Sequence, residues 1–116
     1  MGRSLSWFFD GQAVAGSKGP AYRLDKDYDA SLVWLYAETA PTGSNIEVDI
    51  KADGVSIFGD NKPILTPGST EGEETTFRYD LGALYEGTVI TLEVTAVGSK
   101  VTGDKLSVQF DLEDIS

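Results

Sequence analysis

Between residues 46 and 52 apolar and polar positions trade places at every step: Ile46, Val48 and Ile50 are interleaved with Glu47, Asp49 and Lys51. A period of two marks a strand with one buried and one wet face. Asp53-Gly54 follows, the pair a type I′ hairpin favours, because Gly adopts positive φ freely and Asp tolerates it better than most residues. Val55 and Ile57 then resume the apolar face in the returning strand.

Other segments carry the same signal with a different character. In SLVWLYAET, residues 31–39, both faces are apolar, with Leu32, Trp34 and Tyr36 on one and Val33, Leu35 and Ala37 on the other. Such a strand belongs at the centre of a sheet, or sets its outer face against another chain. Residues 89–97 place Ile90, Leu92, Val94 and Ala96 inward and Thr91, Glu93 and Thr95 outward. Leu106, Val108, Phe110 and Leu112 alternate with Lys105, Ser107, Gln109 and Asp111 to close the pattern. Residues 75–79 read as another strand. Residues 59–74 form a long polar connection with two prolines and room for a short edge strand at 64–66. Connections of that length usually carry function or cross between sheets. Residues 81–87 read as a turn, and no stretch shows helical periodicity.

The first 30 residues are less regular. Residues 4–9 and 21–24 read as strands of the same sheet, or else the segment is an arm that packs on a neighbouring subunit. Trp7, Phe8 and Phe9 stand in a row, and consecutive side chains of a strand cannot share a face. A single sandwich of this size has limited room for all three, so these residues are expected at a contact between subunits. Residues 1–30 are therefore set apart as a strand or interface arm, and residues 31–116 as the sandwich body, within one domain. Seven to nine short strands separated by turns define an all-β chain, a single antiparallel β-sandwich with a jelly-roll-like arrangement. Glu47, Asp49, Lys51 and Lys105 on the outer faces discourage unwanted strand pairing.

Composition narrows the function classes. A chain of 116 residues and 12.4 kDa is one domain that buries roughly two thirds of its unfolded surface. It has no cysteine, which removes disulfides and thiolate metal sites. Nineteen acidic residues against nine basic ones give a net charge of −10. That balance repels phosphate backbones, so nucleic acid is not an expected partner. It serves solubility, or attraction to a basic partner surface or divalent cations. No apolar run approaches the roughly 18 residues of a membrane span. The N-terminus has one base and an apolar run too short for a signal peptide. The expectation is a soluble chain with no membrane partner and no such export signal.

Candidate chemistry is sparse. With no His and no Cys, His general bases, Ser-His and Cys-His pairs and zinc sites all drop out. A glycoside hydrolase needs two carboxylates across a cleft, and Glu47, Asp49, Glu93 and Asp111 read as charges on solvated strand faces. Asp25, Asp27 and Asp29 occupy positions 1, 3 and 5 of a calcium-type loop. Ala30 then stands where that loop requires Gly and Tyr36 where it requires Glu. One or two of these acids could still serve a cation site in a β-sandwich; otherwise they form a solvated connection. Trp7 or Trp34, with Tyr22, Tyr28, Tyr36, Tyr79 or Tyr85, could make a sugar-stacking platform, although core packing is the expected role of Trp34. No catalytic residue and no cofactor is expected.

Seven short motifs are spaced along the chain: Pro41-Thr42-Gly43, Val48-Asp49-Ile50, Asp53-Gly54, Ser56-Ile57-Phe58, Glu86-Gly87-Thr88, Val97-Gly98-Ser99 and Gly103-Asp104-Lys105-Leu106. This spaced set resembles a recurrent β-domain of tailed-bacteriophage structural proteins. The resemblance covers residues 32–112, and residues 1–30 fall outside it. It implies a virion component, tail-associated or a free-standing small protein, made in the host cytoplasm. A chain of this size outside a long fibre is expected to act as a capsid decoration or cement protein. It would pack as dimers or trimers on the major capsid protein or other virion proteins. The alternatives are a receptor- or carbohydrate-binding module on a tail or head fibre, its glycan held by exposed aromatics and the 59–74 loop, and, last, a carboxylate glycosidase.

Overall fold

The computed structural model describes residues 2–78 and 81–115. Nine strands run in chain order: β1 Arg3–Gln12, β2 Tyr22–Arg23, β3 Tyr28–Thr39, β4 Ile46–Ala52, β5 Val55–Ser56, β6 Ile64–Leu65, β7 Glu71–Glu74, β8 Val89–Ala96 and β9 Asp104–Asp114. They form a four-stranded sheet of order β1-β9-β3-β7 and a five-stranded sheet of order β2-β8-β4-β5, with β6 also on β4. All pairings are antiparallel. No helix occurs among the described residues.

The pairings are nested. β1 lies on β9, β2 on β8, β3 on β7, and β4 on β5 and β6. One long hairpin with its bend after Ala52 has been rolled up, so that β9 also meets β3 and β8 also meets β4. This is the strand order of a jelly roll, which leaves few open edges on its two sheets.

Alternation fixes which side chains enter the core. From the four-stranded sheet come Leu5 and Trp7, Val33, Leu35 and Ala37, and Leu106, Val108, Phe110 and Leu112. From the other come Ile46, Val48 and Ile50 with Ile90, Leu92 and Val94, all at most 1% exposed. Each such aliphatic contributes about 1.5–3 kcal/mol by leaving water. The accessible surface of 6068 Å² agrees with the ~6,100 Å² that area scaling gives a compact chain of this mass.

The hairpin at Asp53-Gly54 has φ of 49° and 86° at its two residues, as a type I′ turn requires. Asp53 does more than turn the chain. Its N–H donates to the Val89 carbonyl and its Oδ1 accepts from the Val89 N–H, both at 2.9 Å, pinning the hairpin tip to the start of β8. At the opposite end of β4 the Pro41-Thr42-Gly43 turn interlocks with the turn after Val97. Thr42 N–H donates to Val101 O, Lys100 N–H to Thr42 O, and Val101 N–H to Thr42 Oγ1, at 2.9 to 3.1 Å.

Between β4 and β7 the structure departs from the sequence pattern in three places. The strand expected at 75–79 lies upstream, at Glu71–Glu74; Tyr79 falls outside the described residues. The inward position of β7 that faces Leu35 is Gly72, and a Cβ there would press on the Ile64 carbonyl at 2.9 Å and the Leu65 side chain at 3.2 Å. The strand therefore carries no apolar signal, because β6 fills the space its side chain would take. Downstream, Phe77 turns inward against Phe58 and Phe110. Second, Val55 does not resume the apolar face. It is 55% exposed at the hairpin tip, and Ile57 and Phe58 enter the core instead. Third, Asp49 is not solvated: it is 5% exposed and accepts a 2.6 Å hydrogen bond from the Ser56 hydroxyl.

Candidate functional site

Trp7, Phe8 and Phe9 divide as strand geometry demands. Trp7 is 2% exposed inside the sandwich, where its Nε1–H donates to the Pro20 carbonyl at 2.7 Å and its ring meets Tyr22 edge-on at 5.3 Å. A Cβ on Gly19 would run into that ring, so the chain passes close over Trp7 only because residue 19 has no side chain. Tyr22 OH also caps the free edge of β1 by donating to the Ser6 carbonyl at 2.6 Å. Phe9 is partly buried against the core, and Phe8 points outward, 61% exposed. Phe8 is the member of the trio that a partner can reach.

The three acids near residue 27 are engaged separately. Asp25 Oδ1 accepts from Arg3 at 2.9 Å and from the Tyr28 hydroxyl at 2.7 Å. Asp27 Oδ1 accepts from the Glu86 N–H, and Asp29 lies within β3 opposite Glu113. Among the described residues no three carboxylates group as metal ligands would. The Tyr28 hydroxyl holds the Asp25 carboxyl below its ordinary value, and Arg3 adds to the shift. Burial, then the bond to Asp25, pushes the Tyr28 hydroxyl up. The arrangement fastens the N-terminus of β1 and the entry to β3 to each other. Lys26 Nζ lies 3.1 Å from Asp114 Oδ1 and does the same for the end of β9.

The outer face of the four-stranded sheet concentrates accessible aromatic surface. Register places Phe8, Ser107, Tyr36 and Glu71 in one row across β1, β9, β3 and β7, and Ser6, Gln109, Trp34 and Glu73 in the next. Trp34 and Tyr36 lie nearly parallel, 10° apart with centroids at 5.7 Å. Trp34 Nε1–H donates to Glu71 Oε2 at 2.6 Å, which fixes the indole. Trp34, expected in the core, is thus half-buried on the outside, while Trp7 takes the interior position. In β3 the inward positions belong to the aliphatic trio Val33, Leu35 and Ala37, and alternation leaves the aromatics no other side.

Small residues between the aromatic walls make a groove of about 290 Å³, floored by Ser6, Ser107 and Gln109. Gln109 Nε2 donates to Asp111 Oδ1 at 2.9 Å, and that oxygen also accepts from Ser4 Oγ. Trp34 and Tyr36 stand out in the sequence as possible stacking residues; Ser6, Ser107 and Gln109 do not. Their alternation was visible; the register that sets them between Phe8 and Trp34 was not. The other tyrosines scatter: Tyr28 is 2% exposed, Tyr22 packs on Trp7, and Tyr85, 63% exposed, lies on the turn before β8. The connection at 59–74 supplies β6 and β7, hence Glu71 and Glu73 beside Trp34.

No protein-family model matches the chain, and no curated protein does either. Among solved structures it is similar to the catalytic domain of a GH87 alpha-1,3-glucanase in complex with nigerose, at 17% identity and a TM-score of 0.48. The match covers 96% of this chain and 22% of that one. A likeness at that level carries nothing about activity.

Proposed function

We propose that this protein is a non-enzymatic structural component of a tailed-bacteriophage particle, a capsid decoration protein that works by packing against the shell. The observation that carries the reading is the interlocking of the motifs that resemble the phage β-domain. Thr42 of Pro41-Thr42-Gly43 bonds to Lys100 and Val101, directly after Val97-Gly98-Ser99, and Asp53 of Asp53-Gly54 bonds to Val89, directly after Glu86-Gly87-Thr88. The resemblance therefore rests on joined pairs of turns that a shared fold would have to keep together. Jelly rolls serve in viral shells, though also in lectins, and fold alone does not assign a task.

The packing surface under this reading is the end of the sandwich that carries the Asp53-Gly54 hairpin. There Val55, Tyr85 and Val89 are 55%, 63% and 38% exposed, on turns tied to one another. Asp53 is bonded to Val89, Thr88 N–H donates to Tyr85 O at 3.0 Å, and Gly87 N–H to Leu24 O at 2.9 Å. A rigid apolar tip loses little conformational freedom when it docks, and the net charge of −10 suits a basic shell surface around it. Many copies would each bury a modest area. Particles assembled without the protein should take up the recombinant chain, and the double variant Val55→Ser, Tyr85→Ser should lose that uptake while folding normally. Uptake unchanged by both substitutions would remove this end as the contact.

A further inference from the structure

We infer that the groove between Phe8 and Trp34 is a binding site for a neutral saccharide. The site goes beyond the packing role and lies on a different surface, so it does not depend on that role.

Width is the first argument. Phe8 and Trp34, the outward aromatic residues that line the groove, stand on β1 and β3 with one strand, β9, between them, one register row apart. Two strand spacings and that two-residue stagger set their backbones about 12 Å apart. A saturated ring held between two aromatic walls needs about 7–8 Å between them, twice the optimal carbon–carbon separation, which that span accommodates. Ser107 keeps the space between them open because its side chain is short. The volume of about 290 Å³ sits at the small end of ligand sites, roughly 300–1,000 Å³. That suits one or two sugar rings.

Chemistry is the second. A pyranose offers an apolar face of C–H groups and a rim of hydroxyls that both donate and accept. The groove answers with aromatic surface on its walls and hydroxyl and amide groups from Ser6, Ser107 and Gln109 on its floor. Trp34 is locked through Glu71 and Gln109 through Asp111, so little side-chain freedom is lost on binding. Charge is the third. No charged residue lines the groove. Glu71, Glu73 and Asp111 lie next to its lining, and Lys105 on the same face is paired with Glu38. Sialic acids, uronic acids and phosphorylated sugars are therefore disfavoured. A neutral sugar is left.

The test is titration of the full-length ¹⁵N-labelled chain with maltohexaose, cellohexaose and mannohexaose, and with oligogalacturonate as the anionic comparison. At least one neutral probe should shift amides of β1, β3 and β9 around the groove with millimolar or tighter affinity. Trp34→Ala and Phe8→Ala should each weaken it by about tenfold, and Gln109→Ala by less. All three residues lie on the outer face, so far-UV circular dichroism and unfolding midpoints report whether a variant still folds. Phe8→Leu keeps an apolar wall without an aromatic face and should weaken binding nearly as much as Phe8→Ala. The inference is overturned if no neutral probe binds, if the shifts map elsewhere, or if Trp34→Ala and Phe8→Ala bind like the parent. Oligogalacturonate binding as tightly as the neutral probes would overturn the assignment to neutral sugars.

Discussion

The two sheets contribute similar aliphatic faces to the interior but turn different faces to water. On the five-stranded sheet the outer polar groups satisfy one another. Thr95 Oγ1 donates to Glu47 Oε1 at 2.7 Å, and Ser56 donates to Asp49. A hollow of about 190 Å³ there is lined by Lys18 and Lys51 with Asp49 and Glu93. On the four-stranded sheet Phe8 and Tyr36 stay 61% and 38% exposed, and neighbouring polar groups lock Trp34 and Gln109 in place. Exposed aromatic area contributes nothing to the stability of the free chain. The contrast teaches that one face serves the fold and the other is available to a ligand.

The sharpest break of that contrast uses the two tryptophans. Trp7→Ala removes a buried ring and should cost about 3–5 kcal/mol, read as a fall in the guanidinium midpoint. Trp34→Ala on the open face should cost about 1 kcal/mol or less. Equal losses would mean that the outer aromatic pair also holds the fold together. Next in size is Gly54→Ala at the hairpin tip. With φ of 86°, a side chain there should cost about 1–2 kcal/mol, and the same measurement checks it. Asp49→Ala should cost about 1 kcal/mol, since the Ser56 hydroxyl loses its close acceptor. A neutral or stabilising result would show that the carboxylate is kept there for another reason.

The smallest effect is on the acid limb. Asp25 and Asp114 both titrate below the ordinary aspartate value of 3.8, held down chiefly by Tyr28 and by Lys26 respectively. Their contribution is complete above that value and fades as pH falls through the lower folded-state value. Stability should therefore slope downward with acid below about pH 4, and Asp25→Asn should flatten the slope. Lys26 shifts upward, chiefly through its bond to Asp114. Its contribution is complete below 10.5 and lost as pH rises past its folded-state value. An acid limb unchanged in Asp25→Asn would put the sensitivity elsewhere.

Much of the fold was legible in the chain. Alternation in 46–52, 89–97 and 105–112 named the inward residues of β4, β8 and β9, and Asp53-Gly54 named its turn. β7 was not legible because Gly72 occupies its inward position under Leu65. The burial of Asp49 was hidden for a related reason: a carboxylate on an outer strand position reads as solvated, and only the return of Ser56 beside it closes the space. The face of β3 was ambiguous because both faces are apolar. Packing of Val33, Leu35 and Ala37 resolved it and sent Trp34 outward. Trp34 was legible as a stacking candidate but the groove was not, since its walls come from β1 and β3, which meet only through the register each keeps with β9.

The central claim is that the chain is a structural part of a phage shell, and counting copies tests it most directly. Quantitative mass spectrometry of purified particles should find the protein in a fixed ratio to the major capsid protein, at a copy number set by the capsomers. Absence from the particles, or a handful of copies confined to the tail, would contradict the account.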